Sequence, residues 1–74
     1  MSPPELRKVI KAQPFRPFTL RLADGRIIPV PHIDYISLSP GGWTAVVWKD
    51  QGGYFLVDVA SVTALEVQGA PKPK

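Results

Sequence analysis

The sequence contains no cysteine, a single histidine, and no apolar run of the ~18–20 residues that a membrane-spanning helix needs. The missing cysteines exclude a disulfide framework, a thiolate zinc site and thiol catalysis. The first residues, Met1 to Glu5, lack the basic start and apolar segment of a secretory signal. We therefore expect a cytoplasmic protein without a membrane segment.

The chain is short, with 74 residues of which 45% are hydrophobic and 20% are charged. This length predicts one domain, and the hydrophobic content is too high for a chain that stays unfolded. We expect one folded domain over residues 1–68, followed by a disordered Pro/Lys tail over residues 69–74. Because a core this small supplies only about 3–5 kcal/mol, self-association is one route to further stability.

The N-terminal segment has the signals of a short helix. Ser2 can cap it, Pro3 suits the first helical position, and Glu5 completes a capping box. We predict a helix from Pro3 to about Ala12, which Pro14 then stops. Three residues at helical spacing form its apolar stripe, namely Leu6, Val9 and Ile10.

A β-hairpin is predicted after the helix, because residues 18–22 alternate between apolar and polar side chains and Ala23-Asp24-Gly25-Arg26 is a turn sequence. A three-residue loop with Gly25 in the left-handed region keeps the apolar residues on one face. That loop pairs Leu20 with Ile28 and Phe18 with Val30. Pro29 and Pro31 lack a backbone N–H, so the second strand must be an edge there, or must bend.

The remaining chain alternates strand patterns with turn sequences. Proline and glycine make residues 39–42 a strong turn, and residues 50–53 form the next hairpin loop. The predicted strands cover Tyr35 to Leu38, Trp43 to Lys49, Tyr54 to Val59 and Val62 to Val67. The whole pattern predicts a mainly β fold, either a small five-stranded antiparallel barrel or a strongly bent sheet, with a short N-terminal α-helix.

The hairpin from Trp43 to Val59 is unusual because both of its faces are apolar, whereas a strand with one solvated side should alternate cleanly. The sequence pattern assigns Val46, Trp48, Phe55, Val57 and Val59 to one face, and Trp43, Ala45, Val47, Tyr54 and Leu56 to the other. One face can line the core, and the other needs a second cover. We therefore expect a homo-oligomer whose interface includes Trp43, Val47, Trp48, Tyr54 and Leu56.

A short helix followed by about five short bent strands over residues 5–67 resembles the Sm-like and SH3-like small barrels. The stretch from Phe18 to Arg26 is similar to the first hairpin of bacterial Sm-like proteins, and Asp34-Tyr35-Ile36 matches their acidic-then-apolar segment. The resemblance implies a barrel, ring-like assembly and RNA binding by basic residues between the last two strands. Here that place is Asp58 to Ser61, which has no basic residue, so the resemblance supports assembly more than RNA binding.

The chain also resembles a set of very short bacterial proteins of uncharacterised function. These proteins are built on an Arg-Pro-Phe strand, an Ala-Asp-Gly-Arg turn and a Ser-Pro turn, which here are Arg16-Pro17-Phe18, residues 23–26 and Ser39-Pro40. This likeness implies no activity.

The residues that could carry catalysis are scattered. His32 and Asp34 are two neighbours in one extended stretch, without the third group that would orient an acid/base pair. The serines lack a nucleophile elbow, the paired glycines lack the setting of a phosphate loop, and one histidine cannot build a metal site. We expect no enzyme activity, no catalytic or metal site and no cofactor.

Six cations in the first third of the chain make nucleic-acid binding the alternative function, since phosphate contacts need clustered positive charge. These candidate contacts are Arg7, Lys8, Lys11, Arg16, Arg21 and Arg26. The aromatic residues that could stack on single-stranded RNA or DNA lie in the other half of the chain, so the two sets do not interleave. A protein partner that pairs with an exposed strand is a third possibility.

The net charge of +3 is unevenly distributed along the sequence, with an excess of positive charge before residue 31 and an excess of negative charge over residues 31–68. Residues 1–30 carry six cations and two anions, residues 31–68 carry one cation and four anions, and residues 69–74 add two lysines. Opposite charges on the two halves favour contacts between copies of the chain. The sequence therefore predicts a non-enzymatic interaction or assembly module more than a nucleic-acid binder.

Overall fold

A computed structural model describes residues 1–68; the predicted Pro/Lys tail, residues 69–74, lies outside the described residues. The fold is mainly β, with one N-terminal helix and six strands in two antiparallel sheets. Short 3-10 turns at Ile33–Tyr35 and Val59–Ser61 precede the third and sixth strands. The elements are α1 (Pro3–Ile10), β1 (Phe18–Leu22), β2 (Ile27–Val30), β3 (Ile36–Leu38), β4 (Thr44–Trp48), β5 (Tyr54–Asp58) and β6 (Val62–Val67).

The helix α1 begins with the predicted capping box. The Glu5 carboxylate accepts hydrogen bonds from the backbone N–H of Ser2 at 3.0 Å and from its hydroxyl at 2.9 Å. The helix ends at Ile10, two residues earlier than predicted, and the N–H of Ala12 donates to Val9 three residues back. Pro14 disfavours helical backbone at the residue before it, so the helix cannot continue through that position.

The first sheet has the order β2-β1-β6 and confirms the predicted register of the first hairpin. Leu20 lies opposite Ile28 and Phe18 lies opposite Val30. Gly25 has φ +93°, which only glycine adopts readily, and its N–H donates to the Leu22 carbonyl at 3.0 Å. Because β2 is an edge strand, Pro29 leaves no ladder hydrogen bond unmade.

The second sheet has the order β3-β4-β5, and its register corrects the predicted faces of the hairpin. The loop between β4 and β5 sets Trp48 opposite Tyr54 and Val47 opposite Phe55. The inner face therefore holds Ala45, Val47, Phe55 and Val57, and the outer face holds Val46, Trp48, Tyr54 and Leu56. The prediction that Val47 shares a face with Tyr54 and Leu56 was wrong, because Val47 lies on the inner face of the hairpin, opposite Phe55. Both faces are apolar, as predicted.

The structure has six strands within residues 1–68, where the sequence predicted a five-stranded barrel or bent sheet whose second strand is an edge or bends at Pro29 and Pro31. Strand β2 ends at Val30, and β3 begins at Ile36 after Pro31 and the 3-10 turn. Strand β2 pairs with β1 and β3 pairs with β4, so the two segments belong to different sheets. Strand pairing within residues 1–68 gives two sheets and no closed ring of strands.

The core lies between the two sheets and under α1. Its fully buried members come from the helix and from both sheets, and they include Leu6, Leu20, Ile28, Val30, Val47, Val57 and Val59. The turn after β3 holds α1 in place, because the Arg7 guanidinium donates to the Pro40 carbonyl at 3.0 Å. Gly42 packs so closely on the helix that an added Cβ would lie 2.6 Å from Cβ of Pro3.

Candidate interaction surface

The outer face of the β4–β5 hairpin, formed by Val46, Trp48, Tyr54 and Leu56, is an exposed apolar surface. Val46 lies opposite Leu56 and Trp48 lies opposite Tyr54, so the four side chains are adjacent. Trp48, Tyr54 and Leu56 are 48%, 56% and 62% exposed. The Trp48 and Tyr54 rings meet edge to face, with centroids 5.3 Å apart. A contiguous group of large apolar side chains in water is the usual mark of an interaction site.

The structure brings together three of the five predicted interface residues. Trp48, Tyr54 and Leu56 share the outer face, whereas Val47 is 1% exposed and belongs to the core. Trp43 is 51% exposed and lies just before β4, where its carbonyl accepts a hydrogen bond from the N–H of Val59. Sequence reasoning missed Val46, because the hairpin loop length that decides the facing residues was left open.

Strand β5 is also an edge of its sheet. It pairs with β4 on one side, and no strand in residues 1–68 pairs with its other side. An unpaired strand edge presents backbone N–H and C=O groups that can bind another extended chain. The exposed apolar face and the free edge therefore occur on the same hairpin.

A groove lies beside Trp48, between the end of β2 and the β4–β5 hairpin. It has a volume of about 360 Å³ and is lined mainly by proline and aromatic side chains, together with Lys49 and Asp50. The Tyr35 hydroxyl donates to the Asp50 carboxylate, and this hydrogen bond raises the pKa of Tyr35. The Lys49 ammonium lies 4.4 Å from the centre of the Phe55 ring. The proline and aromatic members are Pro29, Pro31, Tyr35, Trp48 and Phe55.

A second cleft, of about 550 Å³, shares Pro29 and Pro31 with this groove. It extends along the ends of β1 and β6 as far as Gln68, and its ionisable members are His32 and Glu66. The two clefts therefore adjoin each other at these two prolines. Sequence reasoning singled out neither cleft, because their residues come from four separate segments.

The six predicted nucleic-acid contacts do not form one group. Arg21 pairs with Glu66 at 3.3 Å, and Arg26 pairs with Asp24 at 2.9 Å. The backbone N–H of Arg26 lowers the pKa of the Asp24 carboxyl, and its guanidinium lowers it further. The other four cations lie near α1, with Lys8 and Arg16 lining a cleft of about 370 Å³ and Arg7 and Lys11 lining one of about 280 Å³.

The residues considered for catalysis or metal binding stay apart. His32 and Asp34 are both exposed, and no ion pair joins them among residues 1–68. The His32 ring lies 5.6 Å from the Tyr35 ring. Over the same residues, no three histidine or carboxylate side chains come close enough together to hold a metal ion.

The helix α1, with eight residues, is far too short to cross a membrane, and residues 1–68 contain no longer helix. In comparisons with protein-family models, with curated proteins and with solved structures, no match to this chain was found.

Proposed function

We propose that this chain is a non-enzymatic interaction module of the cytoplasm that self-associates through the outer face of β4 and β5. The exposed apolar face carries the proposal. Three adjacent side chains, Trp48, Tyr54 and Leu56, are each about half exposed or more. Burying one such side chain fully stabilises an interface by about 1.5–3 kcal/mol.

A second copy of the chain is the proposed occupant because the molecule carries complementary charge. Residues 1–30 have four positive charges in excess, and residues 31–68 have three negative charges in excess. The outer face lies in the acidic half, with Asp58 at its end. In the basic half, the exposed cation Lys8 lies on α1 and the exposed cation Lys11 directly follows it. Complementary fields on one molecule steer copies of it towards each other.

The proposal includes a small barrel of SH3-like or Sm-like type. The order of the two sheets supports a barrel, because β2 and β3 follow each other along the chain. They would form one bent strand if the residues between them, including the 3-10 turn, were paired with a neighbouring strand. The order would then run β6-β1-β2/β3-β4-β5. Pro31 has no backbone N–H to donate to a neighbouring strand, and this explains why the strand is divided there.

The experiment is a mass measurement by sedimentation equilibrium from low to high micromolar concentration, on the full chain and on two variants. Leu56→Glu places a charge on the outer face, whereas Ile27→Glu makes the same change at an aliphatic residue that is 54% exposed on β2. We expect Leu56→Glu to weaken association about tenfold to a hundredfold, as loss of about 1.5–3 kcal/mol implies. Ile27→Glu removes no apolar side chain from the outer face and should weaken association much less than Leu56→Glu does.

A monomer at high micromolar concentration would overturn the proposal. Equal weakening by Leu56→Glu and Ile27→Glu would overturn the assignment to the outer face, because it would show a general effect of added negative charge.

Single-stranded RNA or DNA binding is the second candidate function. The four cations near α1 favour it, since none of them pairs with an acidic side chain among residues 1–68. Binding to mixed oligonucleotides at ~50 mM salt, followed as salt is raised, tests it. Lys8→Glu with Lys11→Glu should abolish binding, and Arg26→Glu, which alters an ion-paired cation, should change it less. No retardation of the unmodified chain would end this candidate.

A further inference from the structure

Strand β5 has one side without a neighbouring strand among residues 1–68, and this side carries the inference. We propose that two copies of the chain pair through β5, antiparallel and about a twofold axis at Leu56. The strands β3-β4-β5 of each copy then form half of one continuous sheet. The inference rests on the proposed self-association and names the contact within it, which is a set of backbone hydrogen bonds between the two β5 strands.

The hydrogen bonds within the hairpin determine which backbone groups of β5 point away from β4. The N–H of Val59 donates to the Trp43 carbonyl at 2.9 Å, and the N–H of Lys49 donates to the Gly53 carbonyl at 3.0 Å. Antiparallel strands alternate hydrogen-bonded and non-hydrogen-bonded pairs, so every second residue of β5 points its N–H and C=O to the free side. These residues are Tyr54, Leu56 and Asp58, and all three are exposed.

The other three sheet edges carry features that hinder strand pairing. On β2, Pro29 lacks an N–H to donate. Strand β3 has three residues and adjoins α1, since residues of both line one cleft. Strand β6 is flanked by the N-terminal segment, because the Met1 amino group donates to the Val62 carbonyl at 3.1 Å and Val67 lines a cleft with residues of α1. Strand β5 has five residues without proline, glycine or lysine, so it is the edge best suited to pairing.

The sequence of β5 is complementary to itself when the second copy runs antiparallel. Pairing centred on Leu56 places this residue opposite Leu56 of the second copy, and places Tyr54 opposite Asp58 of the second copy. This register uses all three outward-pointing residues of each strand and gives about four backbone hydrogen bonds between the copies. Opposite residues of an antiparallel pair share a face, so the two outer faces come to lie side by side.

The charge of Asp58 favours this register over its neighbours. Asp58 is the only charged residue of β5. In the register centred on Leu56, the two Asp58 residues lie about 14 Å apart along the strands, at ~3.4 Å per residue, which exceeds the Debye length of about 8 Å at physiological salt. A shift of two residues in one direction halves this separation and sets each carboxylate opposite Leu56. The opposite shift sets Asp58 against Gly52, outside the strand.

Amide hydrogen exchange of the isotope-labelled full chain, at low and at high micromolar concentration, tests the pairing. We expect the Leu56 amide to exchange about tenfold more slowly in the associated chain, because its N–H is then bonded to the second copy. The Ile27 amide is the matched control. The N–H of Leu22 donates to the Arg26 carbonyl at 3.0 Å, so the alternation along β2 points the Ile27 N–H to the free side of that strand. Exchange at Ile27 should not change with concentration.

Backbone N-methylation, introduced by chemical synthesis of the full chain, gives a matched pair of variants. A methyl group on the Leu56 nitrogen removes the outward donor and keeps both the side chain and the hydrogen bonds within the hairpin. The same change at Ile27 is the control. By sedimentation equilibrium, we expect methylation at Leu56 to weaken association about tenfold to a hundredfold, because two symmetry-related hydrogen bonds are lost. Methylation at Ile27 should leave association unchanged.

The outcomes separate this inference from the proposed function. An unmodified chain that associates while its Leu56 amide exchanges equally at both concentrations overturns pairing through β5 and leaves association through side chains of the outer face. Equal association with and without the methyl group at Leu56 has the same meaning. Equal weakening by the two methylations also overturns the inference, because β2 would then take part as much as β5. A chain that stays monomeric overturns both proposals.

The fold of each methylated chain is checked by circular dichroism at low micromolar concentration. If methylation at Leu56 unfolds the chain, the exchange measurement on the unmodified chain still decides the inference.

Discussion

Leu6 anchors the helix α1, and its truncation tests whether the helix is an integral part of the fold. The side chain is 0% exposed, and Pro3 is the other buried residue of α1. Replacing a fully buried leucine by alanine costs about 2–5 kcal/mol, from lost burial and from the cavity left behind. A chain of this length has only about 3–5 kcal/mol in total. We therefore expect Leu6→Ala to leave the chain marginally stable or unfolded at room temperature.

The assay is urea unfolding followed by far-ultraviolet circular dichroism at low micromolar concentration, where association adds little to stability. Lys8→Ala is the matched control, because Lys8 is exposed on the same helix and a surface change of this kind alters stability by at most about 0.5 kcal/mol. A loss below about 1 kcal/mol for Leu6→Ala would refute the reasoning. It would mean that the two sheets fold without support from α1.

Three further predictions concern local contacts. The pKa of Glu5 is lowered chiefly by the hydrogen bond from the N–H of Ser2. The carboxylate therefore stabilises α1 at pH values above its unfolded-state pKa, and this contribution is lost as pH falls through the folded-state pKa. Glu5→Gln should remove this pH dependence of the helical circular dichroism signal. Gly42→Ala should lower the urea midpoint more than Gly52→Ala, because both have positive φ but only Gly42 packs against α1. The pKa of Tyr35 is raised chiefly by its hydrogen bond to the Asp50 carboxylate. This hydrogen bond therefore contributes to stability below the unfolded-state pKa of the tyrosine, and the contribution is lost as pH rises through the folded-state pKa. An ultraviolet titration should show one tyrosine that ionises at higher pH than a free tyrosine, and Tyr35→Phe should remove that step.

The first hairpin could be predicted in detail because two local constraints agree there. Only a left-handed glycine at position 25 allows the three-residue loop, and only that loop puts Leu20 and Ile28 on one face. The boundaries of β6 were equally accessible, since a tight bend at Ala60-Ser61 precedes the strand in the sequence and a glycine follows it. Local chemistry therefore determines these parts of the fold.

The second hairpin could not be resolved in the same way, because both of its faces are apolar. The alternation that normally reveals which residues face the core is missing, and the loop sequence at residues 50–53 leaves the loop length, and with it the register, open. The structure places Val47 against Ile36 and Phe55, so contacts with β3 and β5 decide what the sequence leaves open. The groove was inaccessible for a related reason, since it joins side chains that are distant in sequence.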